Sequence, residues 1–346
     1  MEFLSVSPES LKRAAEVLRS GGLVAFPTET VYGLGADAYN PAALARIFEA
    51  KGRPRFDPLI IHIASSGTLE DAANLSLLNS ETRRKLFLLA ENLWPGPLSL
   101  VLPKSEKIPG IATAGLSTAA FRLPGLVAAV ELISLAGGAV AAPSANPFGA
   151  LSPTRAEHVR DGLGEKADMI LDGGPARIGV ESTVLDMTSE KIKILRPGGT
   201  PKEKIEELIG SVQDGFFTAE DAKNTPKSGF ISPGQLKSHY APRTPLSVFS
   251  ENDIFNLPWK PGDAFLFFDS PSRNTWFESL SPRPSAKAVI RVLSPSGNTL
   301  EAASRLFETL HELDSLKISR IFAQLVPLEG LGEAINDRLR RAAKLG

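Results

Sequence analysis

The stretch that decides the fold is NPAALARIFEAKGRPRFDPLIIHIA, residues 40–64. Asn40 and Pro41 are typical of a helix start, because the asparagine side chain caps free backbone N–H groups and proline fits the first helical turn. The helix is predicted to end at Lys51 and Gly52, and the apolar run PLIIHIA then predicts a buried strand. A helix followed at once by a buried strand indicates an α/β sheet.

The same alternation extends over residues 7–200, where short apolar runs predict strands and helical patterns lie between several of them, around 80–92, 126–136 and 154–161. Residues 206–244 are rich in Gly, Pro, Ser and Lys and have little periodicity, which is typical of a linker. A smaller α/β pattern then returns. We therefore predict a mixed-sheet α/β domain over 1–205, a linker and candidate active-site lid over 206–244, and a smaller Rossmann-like α/β domain over 245–346.

Composition excludes several classes of protein. Lys and Arg number 38 against 39 acidic residues, a net charge of −1, which argues against a protein that coats nucleic acid. The chain has no cysteine, so disulfides and thiolate chemistry are excluded. The first residues lack the pattern of a signal peptide, and no apolar run approaches the roughly 20 residues of a membrane span. The sequence predicts a cytoplasmic location and no membrane partner.

The sequence contains neither a GxxxxGK[ST] nor a GxGxxG phosphate-binding loop, so an anion would have to be held by side chains and helix N-termini. The segment KGRPR places Lys51, Arg53 and Arg55 on what is predicted to be a short exposed loop. These cations either bind an anion or are solvated, with Lys51 complementing the helix dipole. The four histidines are dispersed and no HExxH motif occurs, so no metal-ligand cluster is visible.

Three further segments carry polar groups beside or within predicted strands. FPTETVYGLGADA places Thr28, Thr30 and Tyr32 directly after a strand. Either these side chains line a pocket, or the segment is an edge strand followed by a glycine turn. His62 lies within an apolar strand. It is either a buried, hydrogen-bonded core residue or a residue that contacts a ligand. Arg122, within TAAFRLPG, is costly to bury unless it meets a carboxylate or a phosphate, so a ligand and an internal salt bridge are both open.

The remaining candidates lie further along the chain. Ser144 and Asn146 follow a buried strand, Ser152 is predicted to cap a helix with Thr154 and Glu157 in a capping box, and Ser182 is predicted within a strand. Arg196 ends another strand. Tyr240, in the linker, is predicted to be exposed and able to stack on a base.

Taken together, FPTETVYGLGADA, KGRP…PLIIHIA, LWPGPLSLVL, FRLP, AAPSANPFGALSPT, DGG…GVESTVLDM and ILRPGG closely resemble the YrdC-like domain. With SPGQLKSHYAP and GLGEAINDRLRRAA, the chain resembles the long form of the L-threonylcarbamoyl-AMP synthase family. The resemblance implies a nucleotidyltransferase that makes threonylcarbamoyl-AMP from L-threonine, bicarbonate or carbon dioxide, and ATP, with release of pyrophosphate. It also implies downstream threonylcarbamoyl-transfer proteins as partners, and tRNA as the molecule finally modified.

The resemblance also implies roles for individual residues. Lys51 and Arg53 are expected to be catalytic, because with Arg196 and Mg²⁺ they would stabilise the departing pyrophosphate. No general base and no protein nucleophile is assigned. The expected threonine pocket consists of Thr30, His62, Arg122, Ala142 and Ser182. The expected ATP side consists of Lys51, Arg53, Asp57, Thr118, Ser144, Asn146, Ser152, Arg196 and Tyr240.

One departure from the family pattern bears on the ATP side. The family commonly has an asparagine before Pro-Leu, where this chain has Asp57, and an acid at that place would repel phosphate unless a metal intervenes. Two alternatives to the synthase also stay open. One is a non-catalytic module that binds double-stranded or transfer RNA, against which the near-neutral charge weighs. The other is a related carbamoyl- or adenylyl-transfer enzyme that uses another amine.

Overall fold

The computed structural model describes residues 1–189, 191–216, 240–279 and 288–343, and in 254–256 and 277–279 it describes the backbone alone. These residues divide into two compact units. The N-terminal unit is formed by the described residues within 1–148, 152–177 and 181–236. The C-terminal unit is formed by those within 149–151, 178–180 and 237–346. The chain therefore leaves the N-terminal unit twice before the predicted linker begins, and most of that linker, 217–239, lies outside the described residues.

The N-terminal unit is built on one sheet. Its strands are β1 (Glu2–Ser5), β2 (Val24–Phe26), β3 (Gly33–Asp37), β4 (Ile60–Ile63), β5 (Leu98–Pro103), β6 (Thr118–Arg122), β7 (Ala139–Ala141), β8 (Met169–Asp172), β9 (Thr183–Asp186), β10 (Lys193–Arg196) and β11 (Gln213–Asp214). Within the described residues they are ordered β1-β8-β2-β3-β7-β4-β6-β5-β9-β10-β11. β4 pairs in parallel with β6 and antiparallel with β7, so the predicted mixed-sheet α/β fold is confirmed.

Helices connect and cover these strands. They are α1 (Pro8–Arg19), α2 (Pro41–Lys51), α3 (Ser66–Ala72), α4 (Ser80–Leu93), α5 (Val127–Leu135), α6 (Ala156–Leu163) and α7 (Lys202–Ile209). The predicted ends of α2 are confirmed: the Asn40 side chain accepts hydrogen bonds from two backbone N–H groups, and Gly52 ends the helix in the left-handed region at φ 63°. Among the described residues, no helix has the length and apolarity needed to cross a membrane.

One local prediction was wrong, and one of two open alternatives is excluded. α6 begins at Ala156 with Arg155 at its N-cap and no side-chain cap, so Ser152 does not cap it. The reason is that the Ser152 hydroxyl donates instead to Glu181, which is distant in sequence. Of the two alternatives for FPTETVYGLGADA, the edge strand is excluded: residues 27–32 connect β2 and β3 with bends at 29–31, because the Thr28 side chain bonds to the backbone of its own turn.

The two faces of the sheet are covered differently. Alternate residues such as Ile61, Phe121 and Leu185 belong to a large apolar core on one face. The opposite face carries two smaller apolar clusters. One includes Val24, Phe26 and Val140 with residues of α1 and α5, and the smallest is formed by Ile60, Val101, Ala120, Val184 and Leu195. The functional side chains described below continue from this smallest cluster.

Within its described residues, the C-terminal unit has a four-stranded parallel sheet. Its elements are β12 (Leu246–Phe249), β13 (Ala264–Phe267), α8 (Ser270–Ser279), β14 (Val289–Val292), α9 (Thr299–Ser315), β15 (Ile321–Gln324) and α10 (Gly332–Ala342). The strands are ordered β12-β15-β13-β14, and buried aromatic rings that include Phe265, Phe267 and Trp276 pack against the sheet. The short segments 149–151 and 178–180 belong to this unit, and the Ala241 N–H donates to the Gly149 carbonyl oxygen at 2.9 Å.

Candidate active site

The register of the sheet brings the predicted threonine-pocket residues together. β4 and β6 pair so that Ile60 lies opposite Ala120 and His62 lies opposite Arg122. The Ala142 N–H, directly after β7, donates to the carbonyl oxygen of Ile60 at 2.9 Å. Because side chains alternate along strands, these residues share the face that carries the smallest apolar cluster.

Arg122 forms the internal salt bridge that the sequence left open. Its Nη2 lies 2.6 Å from Oε1 of Glu29, and its Nε donates to the carbonyl oxygen of Gly96 at 3.3 Å. Both side chains of the pair are at most 4% exposed. Burial alone would raise the pKa of Glu29, but the charge and hydrogen bond of Arg122, together with backbone hydrogen bonds from Gly125 and Glu29, outweigh it and hold the pKa below its usual value. Glu29 is therefore a buried carboxylate, and sequence reasoning did not select it.

Thr30 is fully buried beside this pair. Its hydroxyl lies 2.8 Å from the hydroxyl of Thr28, which in turn donates to the carbonyl oxygen of Val31 at 2.6 Å. The Tyr32 hydroxyl points elsewhere and donates to the carbonyl oxygen of Gly174 at 2.7 Å. The turn after β2 thus holds Thr30 in place through Thr28.

His62 is buried and neutral. Burial, with the positive charge of Arg122 acting in the same direction, lowers its pKa to about 3. Its Nδ1 makes no hydrogen bond within the described residues, and its ring meets the Phe26 ring edge-on with centroids 6.3 Å apart. At neutral pH His62 is therefore an uncharged hydrogen-bonding group, suited to read a ligand and not to pair with an anion.

This pKa predicts an acid-dependent loss of stability. The pKa of His62 is 6.5 when unfolded and about 3 when folded, so its contribution is complete above 6.5 and falls as pH decreases toward 3. Between pH 7 and pH 4.5, protonation of the unfolded state should cost about 2 to 3 kcal/mol. His62→Gln should remove this part of the pH dependence in urea unfolding. His158→Gln, on the partly exposed face of α6, should leave it in place; equal curves for wild type and His62→Gln would contradict the assignment.

Lys51 lies at the end of α2 and is buried, contrary to the prediction of an exposed loop. Its Nζ donates to the carbonyl oxygen of Ser144 at 2.5 Å and also to that of Asn146. Burial, helped by the charge of Arg53, lowers the pKa of Lys51 well below its usual value, and Asp57 opposes this shift. The Phe148 N–H also donates to the carbonyl oxygen of Lys51 at 2.8 Å, so the structure brings Lys51, Ser144 and Asn146 together.

Arg53 is also buried, whereas Arg55 is exposed as predicted. Nη2 of Arg53 lies 2.9 Å from Oδ1 of Asp57, and the guanidinium donates to two backbone carbonyl oxygens, at 3.1 and 2.9 Å. Burial raises the pKa of Asp57, while the charges of Arg53, Lys51 and Arg196 oppose that rise. Asp57 is thus a buried acid within a cluster of three cations.

Arg196 joins the two halves of the site. Its Nε and Nη2 donate to the carbonyl oxygen of Ser182 at 3.1 and 2.9 Å, and Nη2 lies 3.1 Å from the Ser182 hydroxyl. Ser182 directly precedes β9 instead of lying within a strand, and its hydroxyl is 2.8 Å from that of Ser99. Because the charge of Arg196 also acts on Asp57, it connects the expected threonine and ATP sides.

The other predicted ATP residues are placed as follows. Ser152 is fully buried and donates to Oε1 of Glu181 at 2.5 Å. Thr118 begins β6, opposite Pro103 of β5, and is half-buried. Glu181 and Ser99, like Glu29, are partners that sequence reasoning missed. The signal available for Glu29 was its place between two selected hydroxyl residues, and the signal for Glu181 was its place directly before Ser182.

The prediction that Tyr240 is exposed was wrong. Tyr240 belongs to the C-terminal unit and is 1% exposed. Its ring lies 5.7 Å from that of Phe307 and beneath the guanidinium of Arg338, 5.3 Å away. Its backbone adopts φ 66°, which is uncommon for a side chain of this size. The contact between Tyr240 and adenine stays a prediction.

No group of three or more His, Asp or Glu side chains arranged to hold a metal occurs in the part of the chain that the structure describes. The acidic groups of the site, Glu29, Asp57 and Glu181, each meet a different partner. A divalent cation here would therefore need ligands from a bound nucleotide in addition to protein side chains.

Comparisons with known proteins give matches to two family models and to full-length relatives. Residues 16–198 match the Sua5_yciO_yrdC family model, described as "Telomere recombination", and residues 200–344 match the model described as "Threonylcarbamoyl-AMP synthase, C-terminal domain". The threonylcarbamoyl-AMP synthase of Pyrococcus abyssi is 42% identical over 334 residues, which cover 96% of this chain and 94% of that protein. That of Bacillus subtilis is 39% identical over 344 residues, covering 98% and 94%.

A solved structure also matches nearly the whole chain. The crystal structure of P. abyssi Sua5 complexed with L-threonine superposes with a TM-score of 0.85 at 37% identity, over 99% of this chain and 98% of that one. The resemblance, the enzyme class and the synthase function predicted from the sequence are thereby confirmed. Both family models and full-length relatives place the chain in the same group: it belongs to the threonylcarbamoyl-AMP synthase family.

Proposed function

We propose that the N-terminal unit carries out the synthase reaction on the sheet face that holds His62, Arg122 and Arg196. The observation that carries this proposal is the pair of adjoining polar clusters on that face. One is a nearly neutral pocket around Arg122 and His62, and the other is a cationic cluster of Lys51, Arg53 and Arg196. The first suits an amino acid and the second suits a triphosphate. A related protein, P. abyssi Sua5, was crystallised with L-threonine.

The chemistry follows from these two clusters. The threonine amine and carbon dioxide give a carbamate with loss of a proton. A carbamate oxygen then attacks the α-phosphorus of ATP, forming a new O–P bond while the bond to the β-phosphate oxygen breaks and pyrophosphate leaves. Lys51, Arg53 and Arg196 stabilise the negative charge that develops on the leaving group, and Arg122 holds the threonine carboxylate. Positioning and electrostatics supply the acceleration, so no protein nucleophile is needed.

We further propose that ATP is used with Mg²⁺. The ion would be held by the phosphates, with Asp57 as the carboxylate that the cationic cluster offers, and it would neutralise part of the phosphate charge. Asp57 fits such a role because it is buried and its Oδ2 makes no hydrogen bond within the described residues. This role would also explain how an acid is tolerated where the family commonly has an amide.

Asp57→Asn is expected to change the metal dependence of ATP binding. Removing one buried negative charge should tighten binding of metal-free ATP about threefold to tenfold, and should shrink the advantage that Mg²⁺ gives. Calorimetric titration of ATP with and without Mg²⁺ measures both. Asp71→Asn is the control, because Asp71 is 68% exposed and pairs with Lys107 on the surface. Unchanged metal dependence in Asp57→Asn would show that Asp57 does not act on the ion.

Pyrophosphate release tests the function itself. Release should require threonine, bicarbonate and ATP together, and should stay at background when any one of them is omitted. Testing all twenty amino acids separates this synthase from an enzyme that uses another amine. If another amino acid stimulates release more strongly than threonine does, the threonine assignment is wrong.

We also propose that the product passes to threonylcarbamoyl-transfer proteins that modify tRNA, and that this chain does not itself hold tRNA tightly. The net charge of −1 supports the second part, since tight RNA binding normally needs a basic surface. Tight, salt-sensitive binding of tRNA in the absence of ATP turnover would favour the RNA-binding alternative instead.

A further inference from the structure

The buried pair of Glu29 and Arg122 contains a carboxylate oxygen that has no role in binding the carboxylate of a substrate. Arg122 is held by Oε1 of Glu29 at 2.6 Å and by the carbonyl oxygen of Gly96 at 3.3 Å, and within the described residues its Nη1 makes no hydrogen bond. Oε2 of Glu29 is enclosed and makes no hydrogen bond within the described part of the chain, although the backbone N–H groups of Gly125 and Glu29 also help to lower the pKa of this carboxyl group. One nitrogen of the Arg122 guanidinium, Nη1, and one oxygen of the Glu29 carboxylate, Oε2, are thus the atoms of the pair that a ligand could contact.

The charges of the expected threonine pocket sum to zero. Arg122 contributes one positive charge and Glu29 one negative charge, while His62 is neutral because burial lowers its pKa to about 3. The other expected members are uncharged side chains. Arg196, which reaches Ser182 from the ATP side, has the opposing charge of Asp57 near it.

We propose that Glu29 sets the specificity of this pocket for a zwitterionic amino acid, because it accepts the substrate ammonium while Arg122 binds the carboxylate. This inference rests on the proposed function, in which Arg122 holds threonine. An enclosed carboxylate oxygen without a donor is unfavourable, so a donor brought by the substrate gains binding free energy there. A substrate that lacks one of its charges leaves either Oε2 of Glu29 or the remaining edge of the Arg122 guanidinium without a ligand contact, which disfavours binding.

Three ligands test this inference on the unmodified chain. Threonine carries both charges, 3-hydroxybutyrate lacks the ammonium, and 1-amino-2-propanol lacks the carboxylate. Calorimetric titration should show that each single-charge ligand binds about tenfold to a hundredfold more weakly than threonine, the factor that one charge-assisted hydrogen bond gives. If 3-hydroxybutyrate binds as tightly as threonine, Glu29 does not recognise the ammonium and the inference is overturned.

Two variants separate specificity from support of Arg122. Glu29→Gln leaves Arg122 as the one charge of the expected pocket, so threonine should bind about tenfold to a hundredfold more weakly while 3-hydroxybutyrate binds at least as well as before. Glu29→Asp keeps the charge and should keep the preference for threonine. If Glu29→Gln weakens both ligands equally, Glu29 only supports Arg122 and the inference fails.

The outcome is distinguishable from failure of the proposed function. If the unmodified chain releases no pyrophosphate with threonine, the proposed function fails before any variant is made. If it releases pyrophosphate with threonine but shows no preference for the zwitterion, only the role of Glu29 is lost. Thermal unfolding of each variant checks that the fold persists, and if Glu29→Gln does not fold, the three-ligand comparison on the unmodified chain still decides the matter.

Discussion

Arg122→Ala is expected to raise the KM for threonine about a hundredfold to a thousandfold while the KM for ATP stays within about threefold. The alanine removes the group that binds the substrate carboxylate. It also leaves Glu29 as an uncompensated buried charge, and breaking a buried pair in this way costs about 3 to 5 kcal/mol. Threonine-dependent pyrophosphate release at varied threonine and varied ATP separates the two constants.

Two other variants make this result interpretable. Arg122→Lys keeps the charge but replaces the planar fork with a single point of attachment, so it should recover only part of the lost affinity. Arg84→Ala removes a surface arginine of α4 that pairs with Glu81 and is 63% exposed, and should leave both constants unchanged. An equal rise of the two KM values in Arg122→Ala would indicate general damage to the unit and would contradict a role specific to threonine.

Lys51→Ala should have the second large effect, a fall of about a hundredfold to a thousandfold in pyrophosphate release. The ammonium donates to the carbonyl oxygens of Ser144 and Asn146, so its loss removes a cation and also leaves two acceptors of the 144–146 turn without that donor. Lys107→Ala is the matched control, because Lys107 is 58% exposed and pairs with Asp71 on the surface. Activity of Lys51→Ala within threefold of wild type would contradict the assignment.

The depressed pKa of Lys51 gives this prediction a second measurement. The negative charge of a bound triphosphate acts in the opposite direction and raises the pKa of Lys51 again, so any unprotonated fraction of the amine takes up a proton when ATP binds. ATP binding to the unmodified chain should therefore take up protons, which calorimetry in buffers of different ionisation enthalpy detects. Lys51→Ala should take up fewer. Equal proton uptake by both proteins would assign it to another group.

Local signals in the sequence predicted much of the fold and part of the site. Asn40, Pro41 and Gly52 act on neighbouring backbone groups, so the ends of α2 followed from three residues. The apolar strand around His62 followed from the same stretch. Burial of Lys51 and Arg53 could not be predicted from local sequence. The acceptors of Lys51 lie more than 90 residues away. Arg53 pairs with the nearby Asp57, but the sequence does not show that the folded chain encloses this pair.

The errors have the same origin. Ser152 has the local pattern of a helix cap, but a buried carboxylate at Glu181, 29 residues away, takes its hydroxyl. Tyr240 lies in a polar, proline-rich segment that indicates exposure, yet it packs against Phe307 and Arg338 in the C-terminal unit. Glu29 could not be recognised as the partner of Arg122, since 93 residues separate them and only the sheet register brings them together.

The two excursions of the chain into the C-terminal unit have a consequence for how this enzyme can be divided. Segments 149–151 and 178–180 belong to that unit, and each is followed directly by residues of the candidate site, Ser152 after the first and Glu181 and Ser182 after the second. A single cut near residue 237 would therefore not separate two self-contained pieces. It would remove the residues that segments 149–151 and 178–180 pack against. Any truncation or circular permutation that isolates the catalytic unit must therefore redesign these two internal segments as well as the new chain end.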